Sequence, residues 1–428
     1  MKHPDVYVLP GLRTPFAKID RELGEHTALE LSAPVIQQTV AGDAGPGRAG
    51  ASSIDLVLWG TVIPSLRVSN WAREAWFDSG LDARVPAQSI VQACATSLAA
   101  ATHAAGQVAA GRIGLALCGG VESMTNTQIG LSRSFSVKIR RTAQAGGPGR
   151  AISSLAKLRP SDLKISIPGV QERTTGMSMG EHAERMAKEW DVSRDAQDRF
   201  ALASHQRATR DGGAFFRPLL VSPGTFPTDH DTIPRGDTSL EKLASLKPVF
   251  ARDGSLTAGS SSPLTDGAAA CWVAGAGGIA ALPDHLPRAR LLDWEQAAID
   301  PARDGLLIAP AIAIARMLAR RGLTLGDIGL WEIHEAFSAQ VLCTLAALED
   351  REWLKDRSGV DADLGEFPRQ SINPNGGSVA LGHPFGATGA RILSQTVHEL
   401  AAMPTGTRAV VSVCAAGGLG HVALLESP

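Results

Sequence analysis

The chain passes twice through the same order of elements, and no other feature limits its fold so strongly. In the first half IDLVLWGTV leads to PAQSIVQACATSL, then an Ala-rich helical stretch, then IGLALCGG. In the second half DIGLWEIHEAF leads to PRQSINPNGGSVALGHPFGATG, then ARILSQTVHEL, then AVVSVCAAGG. Each pass reads strand, long connection, strand, turn, helix, strand. Two α/β units can share such an order by chance, but its completeness favours a duplication. Short β-rich runs alternating with Ala-rich helical runs predict a mainly parallel sheet covered by helices. Gly/Pro punctuation at 42–50 and 145–150 marks loops.

A different segment lies between the halves. It opens with a basic stretch, 133–164, in which Asp162 is the only acid. MGEHAERMAKEWDV then places Ala183, Met186, Ala187 and Trp190 on one helical face. SRDAQDRFALASHQRATRDGG offers Ser193 as N-cap, Asp195 in the first turn and Gly212 as terminator. The expected division is 1–122 plus 246–274 as the first half, 123–245 as an inserted loop domain, and 275–428 as the second half.

A net charge of −2 over 428 residues argues against a protein built to coat nucleic acid or an acidic membrane. The basic stretch reads as a solvated face, a partner surface or a cover over an anionic ligand. Its one aromatic, Phe135, is too few for nucleic-acid stacking. The five cysteines are scattered and form no CxxC. That disfavours disulfides and structural zinc and favours a reducing compartment. No apolar run reaches the roughly 20 residues of a membrane span. The expectation is a cytoplasmic protein with no metal and no transmembrane segment.

Small-residue turns hold the candidate chemistry. Cys94 follows SIVQA and opens ATSLAAATHAAG. A thiol at a helix start lies near the positive end of the helix dipole, which would lower its pKa. A free cysteine is equally a small buried hydrophobe, and position alone does not separate the two. His383 lies in GHPFGATGAR, where Gly382, Pro384, Gly386 and Gly389 fix a tight path open to a ligand. A structural histidine is the other reading. His334 and Glu335 fall where a strand meets a helix, and a surface His–Glu pair explains them as well. Cys414 enters CAAGGLG, whose consecutive N–H groups suit an oxyanion. Cys118, at the matching place in the first half, reads as structural. GSSSPLTDGAAA (259–270) reads as a turn whose Ser260, Ser261 and Ser262 suit phosphate or amide groups.

These motifs in this order resemble the thiolase family along nearly the whole chain. They include RTPFAK, QACATSL, GGVESMT, MGEHAERMAKEWDVSRDAQDRFALASHQRA, TAGSSSPLTDGAAA, WEIHEAFSAQ, NPNGGSVALGHPFGATGAR and CAAGGLG. The resemblance implies duplicated α/β halves in a layered αβαβα arrangement, with a loop domain inserted in the first half. It implies homodimers or homotetramers, no permanently bound cofactor, and coenzyme A and acyl-CoA as substrates. The family's nucleophile matches Cys94, its activating and oxyanion-binding histidine matches His383, and its acid/base cysteine matches Cys414. His334 stands where many members have an Asn that positions an oxyanion-hole water. That HEAF form resembles the degradative branch that partners a hydratase/dehydrogenase chain in fatty-acid β-oxidation. Ala416 stands where many members have Gly, and its N–H would join that of Cys94 in a second oxyanion site. For coenzyme A the resemblance implies contacts at Ser262, Met179 and Arg235.

The implied activity is thiolytic cleavage of a 3-ketoacyl-CoA. The alternatives are an acetyl-CoA acetyltransferase condensing short chains and an inactive thiolase-like lipid or CoA carrier. A ketoacyl synthase shares the duplicated core but would be expected to pair two histidines with one cysteine.

Overall fold

The computed structural model describes residues 5–41, 53–63, 65–144, 171–301 and 303–428, with scattered positions from 147 to 169. The loop read at 42–50 lies outside these residues, as does most of that at 145–150. The first half contains β1 (Val6–Arg13), β2 (Ala17–Lys18), α1 (Ala28–Ala41), β3 (Leu56–Gly60), α2 (Trp71–Asp78), β4 (Ala87–Ser89), α3 (Thr96–Ala109) and β5 (Leu115–Glu122). The inserted segment carries β6 (Gly130–Leu131), α4 (Arg133–Ala143), β7 (Ile165–Ser166), α5 (Met179–Glu189) and α6 (Arg194–Ala208) before the chain returns as β8 (Thr265–Gly275). The second half runs β9 (Ala289–Ala298), α7 (Ala309–Arg321), β10 (Leu330–Ile333), α8 (Ser338–Glu349), α9 (Arg351–Ser358), α10 (Thr388–Leu400), β11 (Arg408–Ala415) and β12 (Leu419–Glu426).

Strand pairing shows the duplication directly. In the first half the order is β4-β3-β5-β8-β1, with β3 parallel to β4 and β5 and the remaining pairs antiparallel. In the second half β10, β11, β12 and β9 repeat that order and those directions. A parallel bridge between Trp331 and Ile372 stands where β4 stands in the first half. The two sets join where β1 meets β9 antiparallel at Tyr7–Arg290 and Val8–Ala289.

Three cores separate the layers. One packs α1 and α2 on the first-half strands, and another packs α7 and α8 on the second-half strands. The middle core holds α3 and α10 between strands of both halves. A helix covered by a sheet on either side must be apolar or small nearly all round. Hence α3 buries ten of its fourteen residues, most of them Ala, Ser or Thr. The starts of α3 and α10 lie against each other: a Cβ on Gly389 would come within 2.3 Å of the Leu98 nitrogen, and Ala390 N donates to Ser97 Oγ at 2.8 Å. This contact brings the turn before each helix to one place.

Three expectations need correction. The sheet is not mainly parallel: β3–β4, β3–β5 and β10–β11, strands that helical crossovers connect, pair parallel, while β1, β8, β9 and β12 run antiparallel to each of their neighbours. Helix α6 starts under the Ser193 cap as read, but it ends at Ala208, before Gly212. Gly212 belongs to a left-handed stretch, Asp211–Gly213, beyond the helix. Residues 259–270 are not all turn: from Thr265 onward they form the wholly buried strand β8. Its small residues serve close packing between layers. Among the described residues no helix is long and apolar enough to cross a membrane.

Candidate active site

Cys94 sits on a sharp elbow two residues before α3. Ala93 takes φ 45°, a left-handed value uncommon for a residue with a Cβ. The elbow is tied by Thr96, which accepts from Gln92 N at 2.9 Å and donates to Ala93 O at 2.7 Å. The Gln92 side chain meets His421 Nδ1 of β12 at 2.8 Å, so the second half braces the first-half elbow. The expectation that the helix start lowers the Cys94 pKa is overturned. Burial of the sulfur pushes it up to about 12, against the opposing pull of hydrogen bonds from Ala416 N–H and its own N–H. Those two N–H groups are the pair matched to an oxyanion site, and here they converge on the Cys94 sulfur.

A neutral thiol needs a base. His383 lies at the bottom of the GHPFG turn, 3% exposed. This turn rests on the end of β5: a Cβ on Gly120 would fall 2.2 Å from Gly386 O, and Glu122 accepts from Gly386 N at 3.1 Å. Thr388 Oγ1 donates to Pro384 O at 2.9 Å and lies 2.6 Å from His383 Nδ1. The threonine's one hydrogen is spent on the carbonyl, so Nδ1 carries a proton and donates to Oγ1. The lone pair is then on Nε2, which is buried and has no partner among the described residues. Burial, reinforced by the charge of Arg391, lowers the His383 pKa to about 3. The imidazole is neutral and free to accept a proton at Nε2.

His334 follows β10 and is held by its N–H to Ser412 O at 2.8 Å. Its ring centroid is 4.1 Å from that of His383. It is not a surface group, and neither is Glu335: they are 0% and 1% exposed. Burial first, then His383 and Arg391, holds the His334 pKa well below its ordinary value. Glu335 points away from the histidines. It accepts from Ser204 Oγ, Asn373 Nδ2 and Val379 N at 2.7, 2.6 and 3.1 Å, and so clamps the NPNGGS turn to α6.

Cys414 lies on β11 beside this strand end and is 1% exposed. Burial and the neighbouring Cys94 push its pKa well above the usual thiol range, so it is held as S–H. The question raised by Ala416 has a simple answer. The left-handed positions fall on Gly417 (φ 85°) and Gly418 (φ 71°), not on Ala416. Glu172, from the inserted segment, accepts from Gly417 N at 3.0 Å. Cys118 packs in β5 with its sulfur 3.7 Å from Ala100 O.

A cleft of about 320 Å³ adjoins the HEAF turn and is lined by Lys18, His205, Arg235, Phe250, Ser262 and Val379 among others. Ser262 N donates to Ala336 O at 3.0 Å, which fixes the serine turn against HEAF. Ser260 is fully buried and hydrogen-bonds within its own turn, to Thr257. Arg235 and Lys18 are exposed cations at the cleft. Met179 is not among the lining residues; it begins α5 and packs on the second-half core. Among the described residues no group of three or more His, Cys, Asp or Glu side chains is arranged to hold a metal ion.

Four supporting residues escaped sequence reasoning: Glu122, Glu172, Ser378 and Thr388. Only Thr388 lay within a quoted site motif near its partner, five residues after His383.

Residues 6–276 match the family model "Thiolase, N-terminal domain", and residues 285–427 match "Thiolase, C-terminal domain". A 3-ketoacyl-CoA thiolase of Vibrio cholerae is 36% identical over 427 residues, covering 98% of this chain and 97% of that protein. One of Colwellia psychrerythraea is 35% identical over 429 residues, covering 99% and 97%. Among solved structures, a Bacillus anthracis acetyl-CoA acetyltransferase is similar at a TM-score of 0.78 and 28% identity, covering 100% of both chains. The Ascaris suum Acat5 thiolase in complex with coenzyme A is similar at 0.79 and 25%, covering 99% of this chain and 100% of that one.

Proposed function

The chain belongs to the thiolase family, and we propose that it cleaves 3-ketoacyl-CoA by acyl transfer to coenzyme A through an acyl-Cys94 intermediate. The observation that carries this reading is the meeting of one thiol, Cys94, with the Ala416 N–H beside a second thiol, Cys414, held as S–H. His383 Nε2 takes the Cys94 proton as the sulfur attacks the 3-keto carbon. Charge on that oxygen is met by the N–H groups of Cys94 and Ala416. The C2–C3 bond breaks, and its electron pair passes into the enolate of acetyl-CoA. The enolate oxygen is held by His383, now Nε2–H, and by His334. Cys414 gives its proton to C2, and acetyl-CoA leaves. An incoming coenzyme A then returns a proton to Cys414 and attacks the acyl carbon. Cys94 leaves as thiolate and recovers its proton from His383. Because Cys414 is held well above the usual thiol range, its thiolate readily takes the proton of an incoming thiol.

Coenzyme A and acyl-CoA enter as substrates, and the reaction draws on no other cofactor. Ser262, Arg235 and Lys18 support placing coenzyme A in the adjoining cleft, with the cations toward its phosphates. The division into 1–122 with 246–274, 123–245 and 275–428 belongs to this proposal, and the change of family match between 276 and 285 bears on its last boundary. A cytoplasmic homodimer or homotetramer, with a hydratase/dehydrogenase partner in β-oxidation, belongs to the same proposal.

The similarity to an acetyl-CoA acetyltransferase favours a second reading, acyl exchange restricted to short chains. Steady-state kcat/KM across 3-ketoacyl-CoA chain lengths separates the two. The first reading expects long chains to be cleaved at least as well as acetoacetyl-CoA. Activity confined to acetoacetyl-CoA would replace it with the second.

A further inference from the structure

We propose that Ser378 is a positioning residue that fixes His334 as a hydrogen-bond donor into the active site, with Arg391 dictating the direction of the Ser378 hydroxyl. The proposal rests on the thiolase reading above and assigns a part that the two catalytic turns do not themselves supply.

The hydrogens around Ser378 Oγ can be placed by counting donors and acceptors. Arg391 is 2% exposed and donates from one terminal nitrogen to Ser378 Oγ at 2.8 Å and from the other to Gln395 Oε1 at 2.9 Å. A guanidinium has no lone pair to offer, so Ser378 can only accept from it. The remaining contact of the hydroxyl is His334 Nδ1, at 3.0 Å. If Nδ1 carried a proton, Ser378 would receive two donors and its own buried hydrogen would have no acceptor, an arrangement that buried polar groups avoid. The hydroxyl therefore donates to Nδ1. The ring is neutral, since burial and the nearby charge of Arg391 resist protonation, and its one proton stands on Nε2. That nitrogen is buried and without a partner among the described residues.

The two histidines are thus set in opposite tautomers with ring centroids 4.1 Å apart. Thr388 leaves His383 with a lone pair at Nε2, and Ser378 leaves His334 with an N–H at Nε2. One accepts the thiol proton and the other donates to the oxygen that becomes negative. Many members of the family have an Asn at this place, whose amide N–H is a donor in its only form. A histidine fills that role only when something outside the ring chooses its tautomer.

The test compares Ser378→Ala, Ser378→Thr, His334→Ala and the double variant Ser378→Ala/His334→Ala in two assays. One is cleavage of acetoacetyl-CoA, which needs the enolate donor. The other is acetyl exchange between acetyl-CoA and coenzyme A on Cys94, which does not. Losing an oxyanion donor costs on the order of 10²–10³ in rate. Ser378→Ala is expected to lose about 10-fold or more in kcat for cleavage, with the loss confined to that assay. Ser378→Thr, which keeps the hydroxyl, recovers most of the rate, and the double variant is no slower than His334→Ala alone. Nitrogen-15 NMR of histidine-labelled protein is expected to show His334 protonated at Nε2, with the Nδ1–H form appearing in Ser378→Ala. An Nδ1–H tautomer in the unsubstituted protein, additive losses in the double variant, or equal losses in both assays would overturn the proposal. If the unsubstituted protein shows neither exchange nor cleavage, the thiolase reading itself falls, and the proposal with it.

Discussion

At the scale of single residues, chemistry follows from which protons are held and which are free. Burial keeps Cys94 and Cys414 as thiols and His383 as neutral imidazole. In the proposed mechanism acylation of Cys94 needs only His383 and the two N–H groups, whereas C–C cleavage also needs the Cys414 proton. Cys414→Ala should therefore still take an acyl group from a simple thioester but lose cleavage by two or more orders of magnitude. Quenched-flow acylation and steady-state thiolysis measure the two separately, and near-normal thiolysis would remove Cys414 from its role. Cys94, His383 and Cys414 stand out as candidates because each lies among Gly or Ala in a turn, and His334 because it falls where a strand meets a helix. The Cys94 pKa was misjudged because a helix start is visible in sequence and enclosure by distant segments is not. Ser378 and Glu172 were missed for the same reason. They act on partners 44 and 245 residues away, and nothing local marks them.

Among the elements, α10 carries the greatest electrostatic burden. It buries Arg391, Gln395 and Glu399 against Glu332 of β10. Burial, opposed by hydrogen bonds from Asn375 and Gln395, holds the Glu399 carboxyl up at about 7. The unfolded chain ionises this group near its ordinary value, while the folded chain keeps it protonated to about 7. The folded state thus binds the extra proton in that window, and stability falls as pH rises through it. Glu399→Gln removes the penalty, so its melting temperature relative to the parent should be higher at pH 8 than at pH 5. A difference in melting temperature that does not change with pH would contradict this. Helix α4 poses a different question. It buries none of its residues, exposes Arg140 and Arg141, and lies next to exposed Leu131. We expect it to contact a partner chain or a membrane surface. Charge reversal at Arg140 and Arg141 should weaken association with the partner subunit or with anionic vesicles by about tenfold, as measured by co-sedimentation. Unchanged sedimentation would reject that role. Helix starts were legible here through caps such as Ser193, and ends less so. Helix α6 stops at Ala208, where no glycine marks the stop.

Across the whole molecule, duplication is what makes the site. Cys94 comes from the first half, His383 and Cys414 from the second, and Glu172 from the insertion between them. Packing α3 against α10 in the middle layer sets their starts together, and the first-half Glu122 and second-half His421 each brace the opposite half's turn. This arrangement was readable as a repeat in the order of elements. The second half's counterpart of β4, read as a strand in PRQSIN, is reduced to a single bridge at Ile372. The central claim is that this assembly makes Cys94 the acyl carrier. Intact-protein mass spectrometry with peptide mapping, after mixing with a 3-ketoacyl-CoA and no free coenzyme A, tests it directly. The account predicts one added acyl mass, on the peptide containing Cys94 and lost again when coenzyme A is supplied. No adduct, or an adduct on Cys414 instead, would contradict it.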